Sequence, residues 1–155
     1  MPTFNYSFEV DAPLTAVSEF HHDTRALKKL SPPPIFTQIH DYEPLGEGSL
    51  ADFTLWFGPF PIHWVAVHSD VSSNGFTDTQ VSGPLKYWQH THRFTAVSAN
   101  KTRIDEHIQY AHAQGIRGVV SRLLFSKPGL YMLFTARKLL TRRATTGRKY
   151  IRVTA

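Results

Sequence analysis

The strongest constraint in this sequence is a series of short apolar-rich segments that each end at glycine, proline or asparagine. Gly58-Pro59, Asn74-Gly75 and Gly83-Pro84 are three of these breaks. Tight reversals of the chain need these residue types. Connections this short join antiparallel neighbours, whereas parallel strands need a longer crossover. The pattern therefore predicts an antiparallel sheet, and 155 residues are enough for one domain.

The predicted elements follow from these breaks and from the periodicity between them. Residues 3–10 alternate between apolar and polar side chains, which predicts a half-buried first strand. Asp11 and Pro13 then favour the start of a helix, and a second short helix is predicted at 24–30. Six further strands are predicted at 36–43, 49–57, 62–71, 76–81, 85–98 and 103–112.

The pattern changes to helical after Gly115, with an apolar face that continues to about residue 143. Pro128-Gly129 is predicted to kink or split this helix. One long helix cannot cover both faces of seven strands, but a strongly curved sheet can wrap around it. The predicted class is therefore α+β: a curved seven-stranded antiparallel sheet around a long C-terminal helix, with two short helices after the first strand. Such sheets often leave a ligand cavity next to the helix.

Charge is distributed unevenly along the chain. Residues 1–116 hold seven basic and twelve acidic residues, whereas residues 117–155 hold ten basic residues and no acid. We place a single domain at 1–144 and a basic tail at 145–155. A solvated helix face explains the excess most simply, and transient contact with an anionic membrane is the functional alternative. Nucleic acid is not expected, because no base-stacking motif accompanies the charge.

Several functional classes are excluded by residue content. The chain has no cysteine, and therefore no disulfide framework and no cysteine nucleophile. It has no glycine-rich phosphate loop, nucleophile elbow or His-Glu-x-x-His helix. Its N-terminus does not resemble a signal peptide, and its longest apolar run, residues 130–134, is far too short to span a membrane. We expect a cytoplasmic protein.

The segment from Gly75 to Phe94 holds the residues with the most chemical potential. If it forms a hairpin, alternation gives it one polar outer face and one inner face. The inner face consists of Phe76, Asp78, Gln80, Trp88, His90, His92 and Phe94. The next strand turns Ile104, Glu106, Ile108 and Tyr110 inward. Glu106 is thus predicted to be a carboxylate with apolar neighbours on its strand.

Buried imidazoles and carboxylates are costly unless they are paired. One interpretation is a structural network in which Glu106 and Asp78 satisfy His90 and His92. The others are a polar anchor for a ligand and an acid–base group in a pocket. A metal held by His90, His92 and Glu106 is a weaker alternative, because such a site is defined by geometry that sequence does not give. No metal and no cofactor are expected.

Other histidines are assigned no functional role. His21, His22 and Asp23 close the first short helix, where protonatable groups suit the helix C-terminus. His63 and His68 fall on opposite faces of their strand and form no cluster.

With these motifs the chain resembles the START-like, Bet v 1-like superfamily of polyketide cyclase/dehydrase and lipid-transport proteins. The most specific motifs are Gly75-Phe76-x-Asp78-x-Gln80-x-x-Gly83-Pro84 and Trp88-x-His90-x-His92-x-Phe94. Supporting features are Ala12-Pro13, Phe20-His-His-Asp23, Leu30-Ser-Pro-Pro-Pro34, Gly58-Pro59 with Trp64, and Thr102-x-Ile104 through Glu106 to Tyr110. Glu106 stands where we expect an aspartate, which keeps the charge and lengthens the reach. The resemblance implies a helix-grip fold with an internal pocket.

Two functions follow as expectations. The first is binding of a hydrophobic small molecule such as a lipid, isoprenoid or polyketide. The alternative is a cofactor-free cyclase, lyase or isomerase for a polyketide- or terpenoid-like substrate, with Glu106 and His90 or His92 as acid–base groups. The predicted ligand contacts are Trp64, Phe76, Asp78, Gln80, Trp88, Phe94, Ile108, Tyr110 and Leu123.

Overall fold

The computed structural model describes residues 1–146 and contains seven strands and four helices in that range. The strands are β1 (Thr3–Val10), β2 (Ile35–Tyr42), β3 (Leu50–Phe57), β4 (Phe60–Ser72), β5 (Gly75–Ser82), β6 (Tyr87–Ser98) and β7 (Lys101–Ala111). The helices are α1 (Leu14–His22), α2 (Ala26–Lys29), α3 (Gly115–Leu124) and α4 (Lys127–Thr145). Each predicted strand is present, with ends displaced by no more than a few residues.

All seven strands form one antiparallel sheet in the order β1-β7-β6-β5-β4-β3-β2. Register shifts interrupt three of the pairings: once between β2 and β3, at two points between β4 and β5, and once between β6 and β7. Such irregularities bend strands and increase their twist. The sheet curves around α4, and the predicted α+β helix-grip fold is confirmed.

The C-terminal helical region is split as Pro128 predicts. The Ser126 hydroxyl accepts a hydrogen bond from the Gly129 amide and caps the start of α4. Pro128 lies in the first turn, where a missing amide hydrogen costs little. At α1 the expected cap is wrong: Asp11 does not cap, and the helix begins after Pro13, whose carbonyl accepts from two following amides.

The core has two clusters of buried side chains. One lies between the sheet and α4 and includes Trp64, Trp88 and Phe134. The other lies beneath α1 and includes Phe76 and Phe94. Strands β6 and β7 contribute side chains to both clusters, so polar residues at the junction on these strands are enclosed by apolar packing on both sides.

Gly75 allows β5 to approach β6 closely beside this junction. Its φ is 143°, and a Cβ atom there would lie 1.9 Å from the His92 carbonyl oxygen. Any side chain would push the two strands apart. The backbone at this position is therefore part of what sets the geometry around His92.

Within residues 1–146, no helix is long and apolar enough to cross a membrane. Helix α4 continues to Thr145. The basic tail predicted at 145–155 lies, from residue 147 onward, outside the described residues, so the proposed domain boundary stays a prediction.

Candidate ligand-binding site

Strand register brings four ionisable side chains together on the concave face. Asp78 of β5 lies opposite His90 of β6, and His92 of β6 lies opposite Glu106 of β7. Residues two apart on a strand share a face, so the diagonal neighbours also meet. The two histidine rings pack against each other with centroids 3.8 Å apart.

Each histidine contacts both carboxylates. His90 Nε2 donates to Glu106 Oε2 over 2.7 Å, and His92 Nε2 donates to Asp78 Oδ2 over 3.0 Å. The remaining contacts are longer or less well aligned. His92 Nδ1 lies 2.9 Å from Glu106 Oε2 as an ion pair, and His90 Nδ1 lies 3.7 Å from Asp78 Oδ2.

This pairing keeps the carboxylates ionised. Burial acts to raise the pKa of Glu106, but the facing His92 and His90 outweigh it and hold the pKa well below its usual range. Burial also acts to raise the pKa of Asp78, but the hydrogen bond from His92 and the nearby imidazoles shift it downward overall. Burial alone would lower the pKa of His92, yet Glu106 and Asp78 raise it to about 9. His92 is therefore an imidazolium between two carboxylates.

The other imidazoles near this cluster are neutral at physiological pH. Burial lowers the pKa of His90, and the neighbouring positive charge of His92 adds to the shift. Burial lowers the pKa of His21 to about 4, although Glu106 partly opposes it. The pKa of His68 is shifted downward by burial as well. The site thus combines one cationic histidine with three neutral ones.

A cavity of about 480 Å³ lies between the sheet and the helices, and its lining includes Asp78, His90 and His92. Together with Glu106 behind them, these residues are termed the polar end. Its volume is within the range of ligand pockets. The walls are mainly apolar and include Leu27, Phe53, Leu55, Trp64, Ala66, Phe76, Trp88, Phe125, Leu133 and Ala136. Leu123 and Met132 line the cavity but are largely exposed, so the opening to solvent lies beside α3 and α4.

Arg137 of α4 also lines the cavity. Its Nε is buried without a hydrogen-bond partner among residues 1–146, and the guanidinium stacks 5.2 Å from the centre of the Phe134 ring. Burial lowers the pKa of Arg137, but an arginine side chain stays protonated in proteins. The cavity therefore contains a cation whose Nε hydrogen is available to a ligand.

The predicted site residues divide into two groups. Seven line the cavity, namely Trp64, Phe76, Asp78, Trp88, His90, His92 and Leu123. Glu106, Gln80, Phe94, Ile108 and Tyr110 do not line it.

Each of the five has a structural reason for its position. Glu106 lies behind the two imidazoles. The Gln80 side-chain amide donates a hydrogen bond to the Leu85 carbonyl and accepts one from the Leu85 backbone N–H across the β5–β6 turn. Phe94 is packed in the cluster beneath α1, and Ile108 and Tyr110 in the cluster beneath α4.

The cavity lining also contains polar residues that were not predicted as site residues, among them His21, His68 and Arg137. His21 is buried rather than capping: its Nδ1 bonds the Val17 carbonyl over 2.8 Å, and its ring contacts His92 and Phe94. His68 is buried and bonds Ser49, with its ring against Phe76. Arg137 stands in a basic run that suggests a solvated face. The helical spacing of Leu130, Phe134 and Arg137 is the one signal that could have revealed its inward direction.

Comparisons with solved structures support the fold. A protein from Chromobacterium violaceum has a TM-score of 0.77 at 11% identity, covering 96% of this chain and 100% of that one. A START superfamily protein from Mycobacterium smegmatis has 0.71 at 10% identity, covering 92% and 96%. The Zhui aromatase/cyclase from Streptomyces sp. R1128 has 0.68 at 13% identity, covering 94% and 96%. No protein-family model and no curated protein matches the sequence. The chain therefore has the START-like helix-grip fold.

Proposed function

We propose that the protein binds a hydrophobic small molecule in the cavity, with a hydroxyl group of the ligand at the polar end or an acidic group at Arg137. The observation that carries this proposal is that one cavity joins mainly apolar walls to the buried polar groups Asp78, His90 and His92. Ligand pockets typically combine apolar area with a few placed polar groups. The likeness to a START superfamily protein and to an aromatase/cyclase supports a lipid, isoprenoid or polyketide as the class of ligand.

Arg137 favours a ligand with an acidic oxygen. A guanidinium nitrogen that lacks a hydrogen-bond partner in a buried position costs free energy. A carboxylate, sulfonate or enolate oxygen entering the cavity would satisfy it with a charge-assisted hydrogen bond. The ring of Phe134 holds the guanidinium from one side, which leaves its other edges for the ligand.

The binding test uses phenylnaphthylamine, a neutral apolar dye that becomes fluorescent in apolar surroundings. We expect saturable binding of one dye per chain. Ala136→Trp, which fills the cavity from α4, should weaken binding at least tenfold. Ala144→Trp places the same side chain on the same helix outside the cavity lining and should leave binding unchanged. Equal affinity in both variants, or no saturable binding to the wild type, would refute the proposal.

A second candidate is proton transfer on a bound carbonyl compound, as in a cyclase or isomerase. The observation that favours it is that the Asp78 carboxylate and the neutral His90 both line the cavity beside cationic His92. An ionised base next to an acid can move protons at a ligand. Glu106 lies behind the imidazoles, so we assign it the role of orienting them and Asp78 that of contacting the substrate.

The test follows hydrogen exchange of β-tetralone, an enolisable bicyclic ketone, in deuterium oxide. A catalytic cavity should accelerate loss of the α-hydrogens above the buffer rate, and Asp78→Asn should remove the acceleration. The control is Asp52→Asn, which alters an exposed carboxylate that bonds His63. If the protein binds the dye but never accelerates exchange, it is a binder and the catalytic candidate is wrong.

We propose further that helix α3 contacts an anionic membrane surface during ligand exchange. Ile116, Val119, Val120 and Leu123 are exposed on this helix, and Arg117 and Arg122 accompany them. An apolar helix face with basic residues and no acid suits the boundary of an anionic bilayer. Leu123 also lines the cavity opening, so contact there would place the opening against the lipid.

Vesicle sedimentation tests this contact. Phosphatidylglycerol vesicles should retain the protein at low salt, and phosphatidylcholine vesicles should not. Val119→Asp on α3 should abolish retention. Phe60→Asp, which alters an equally exposed apolar residue at the β3–β4 turn outside the cavity lining, should have no effect. Retention that survives Val119→Asp would assign the contact to another surface.

A further inference from the structure

A second property of the polar end goes beyond ligand binding. Asp78, His90 and His92 each offer one ligand atom, and these three atoms lie within 4.8 Å of one another. All three residues line the cavity. We propose that they form a three-ligand site for a divalent transition-metal ion of the zinc class.

The separations fit a metal ion. Bonds of about 2.0–2.1 Å from zinc to nitrogen and oxygen place neighbouring ligand atoms roughly 3.3 Å apart in a tetrahedral site. Asp78 Oδ2 lies 3.0 Å from His92 Nε2 and 3.7 Å from His90 Nδ1. His90 Nδ1 and His92 Nε2 lie within 4.8 Å of each other, so rotation of the two rings toward each other would complete the geometry. The ion would replace the hydrogen atom between His92 and Asp78.

Glu106 provides the outer support that such sites require. Metal-binding histidines usually donate a hydrogen bond from their other ring nitrogen to a carboxylate, which fixes the orientation of the ring. Glu106 Oε2 contacts His90 Nε2 at 2.7 Å and His92 Nδ1 at 2.9 Å. These are the nitrogens on the far side of each ring from Asp78. One carboxylate thus orients both imidazoles toward the same point.

The charges also fit. Asp78 and Glu106 together carry two negative charges, one of which the His92 imidazolium offsets in the metal-free protein. A divalent ion that displaces the proton from His92 Nε2 to solvent would balance both charges. Two imidazoles and one carboxylate suit zinc, iron, cobalt or nickel better than calcium or magnesium. Three protein ligands leave at least one position open, and here that position faces the apolar cavity. An oxygen of the bound molecule could occupy it.

This arrangement differs from the metal site that sequence alone suggested. The sequence pairs Glu106 with the two histidines, and no metal is expected from it. In the structure Asp78 takes the place of Glu106 as the third ligand, because the register sets Asp78 on the cavity side of the rings and Glu106 on the buried side.

The experiment is calorimetric titration of untagged, chelator-treated protein with Zn²⁺ and, separately, Co²⁺, with no organic ligand present. We expect one ion per chain and visible absorption bands of bound Co²⁺. Asp78→Asn and His90→Gln should each weaken binding at least a hundredfold. Glu106→Gln should weaken it about tenfold to a hundredfold, since it disturbs orientation without removing a ligand.

The matched control is His63→Gln, which alters an exposed histidine that bonds Asp52 and should leave metal affinity unchanged. Circular dichroism establishes that each variant is folded before titration. Failure of the wild type to bind one ion would overturn the proposal, as would binding that survives in folded Asp78→Asn. Dye binding by the same preparation separates this failure from failure of the ligand-binding function.

Discussion

The polar end and the apolar walls of the cavity are built in different ways. The polar end comes from three neighbouring strands, β5, β6 and β7, and its side chains hold one another in place. The walls come from residues far apart in the chain, on α2, β3, β4, α3 and α4, and β5 and β6 add Phe76 and Trp88. Strand register therefore fixes the chemistry, whereas tertiary packing sets the shape of the space around it.

This difference separates two consequences of mutation. A change in the polar end alters a buried charge network, so it should affect stability, pH dependence and head-group recognition. A change in the walls alters volume and apolar area, so it should affect which molecules fit. Variants that uncouple these effects test whether the two regions are distinct.

The largest effect is expected from Glu106→Gln. The variant leaves His90 and His92 without their shared carboxylate in a buried position, and breaking such a network costs about 3–5 kcal/mol of unfolding free energy. Urea denaturation measures it. Asp105→Asn, on the opposite face of the same strand, should cost well below about 1 kcal/mol because Asp105 pairs only at the surface. Equal losses in the two variants would contradict a buried network.

The next effect is on the pH dependence of stability, through His21. Burial disfavours the charged imidazole and lowers the pKa of His21 from 6.5, the value of an unperturbed histidine, to about 4 in the folded protein. As pH falls from 6.5 to 4, the unfolded chain binds a proton that the folded chain does not. The contribution of His21 to stability is therefore full above about pH 6.5 and declines by up to roughly 3 kcal/mol toward about pH 4.

The comparison variant is His21→Gln, which should lose less stability than the wild type over the same pH range. The titratable groups acting on His21 are Glu106, His92 and His22, and all stay in place in this variant. His63→Gln, which changes an exposed histidine, should retain the wild-type pH profile. Denaturation midpoints in the presence of chelator, taken across the range, decide between these outcomes.

A smaller effect is expected from Arg137→Met in dye binding. Anilinonaphthalene sulfonate and phenylnaphthylamine share an aromatic skeleton and differ in the sulfonate. Loss of the guanidinium should weaken the sulfonate dye about tenfold, equivalent to roughly 1.4 kcal/mol, and leave the neutral dye unchanged. Equal weakening of both dyes would show that Arg137 contributes apolar contact and not anion recognition.

Most of the fold could be predicted from the sequence, because its patterns are local. Breaks at Gly58-Pro59 and Gly83-Pro84 mark strand ends, and alternation identifies the faces of β6 and β7. Alternation also turns His90 and His92 inward. The same pattern places Asp78 and Glu106 on the inner face of the sheet, but it does not predict which of the two carboxylates lines the cavity.

What could not be predicted depends on packing between distant elements. His21 becomes a cavity residue because α1 packs against β6, and Arg137 because α4 turns that face toward the sheet. Gln80 is two residues after Asp78 and so falls on the same face of β5. Its side chain nevertheless bonds Leu85 in the β5–β6 turn, because β5 ends at Ser82. Alternation along a strand predicts which face of the sheet a side chain lies on, whereas its position along the strand decides whether it contacts the cavity.

One NMR titration tests the central claim, which is that a single bound molecule contacts both regions at once. Side-chain resonances of His90 and His92 report on the polar end, and the methyl groups of Leu55 and Leu133 report on the walls. Titration with anilinonaphthalene sulfonate should shift both sets with one shared Kd. The exposed His63 serves as an internal control and should not shift. Shifts confined to the methyl groups, or Kd values that differ between the two sets, would contradict the account.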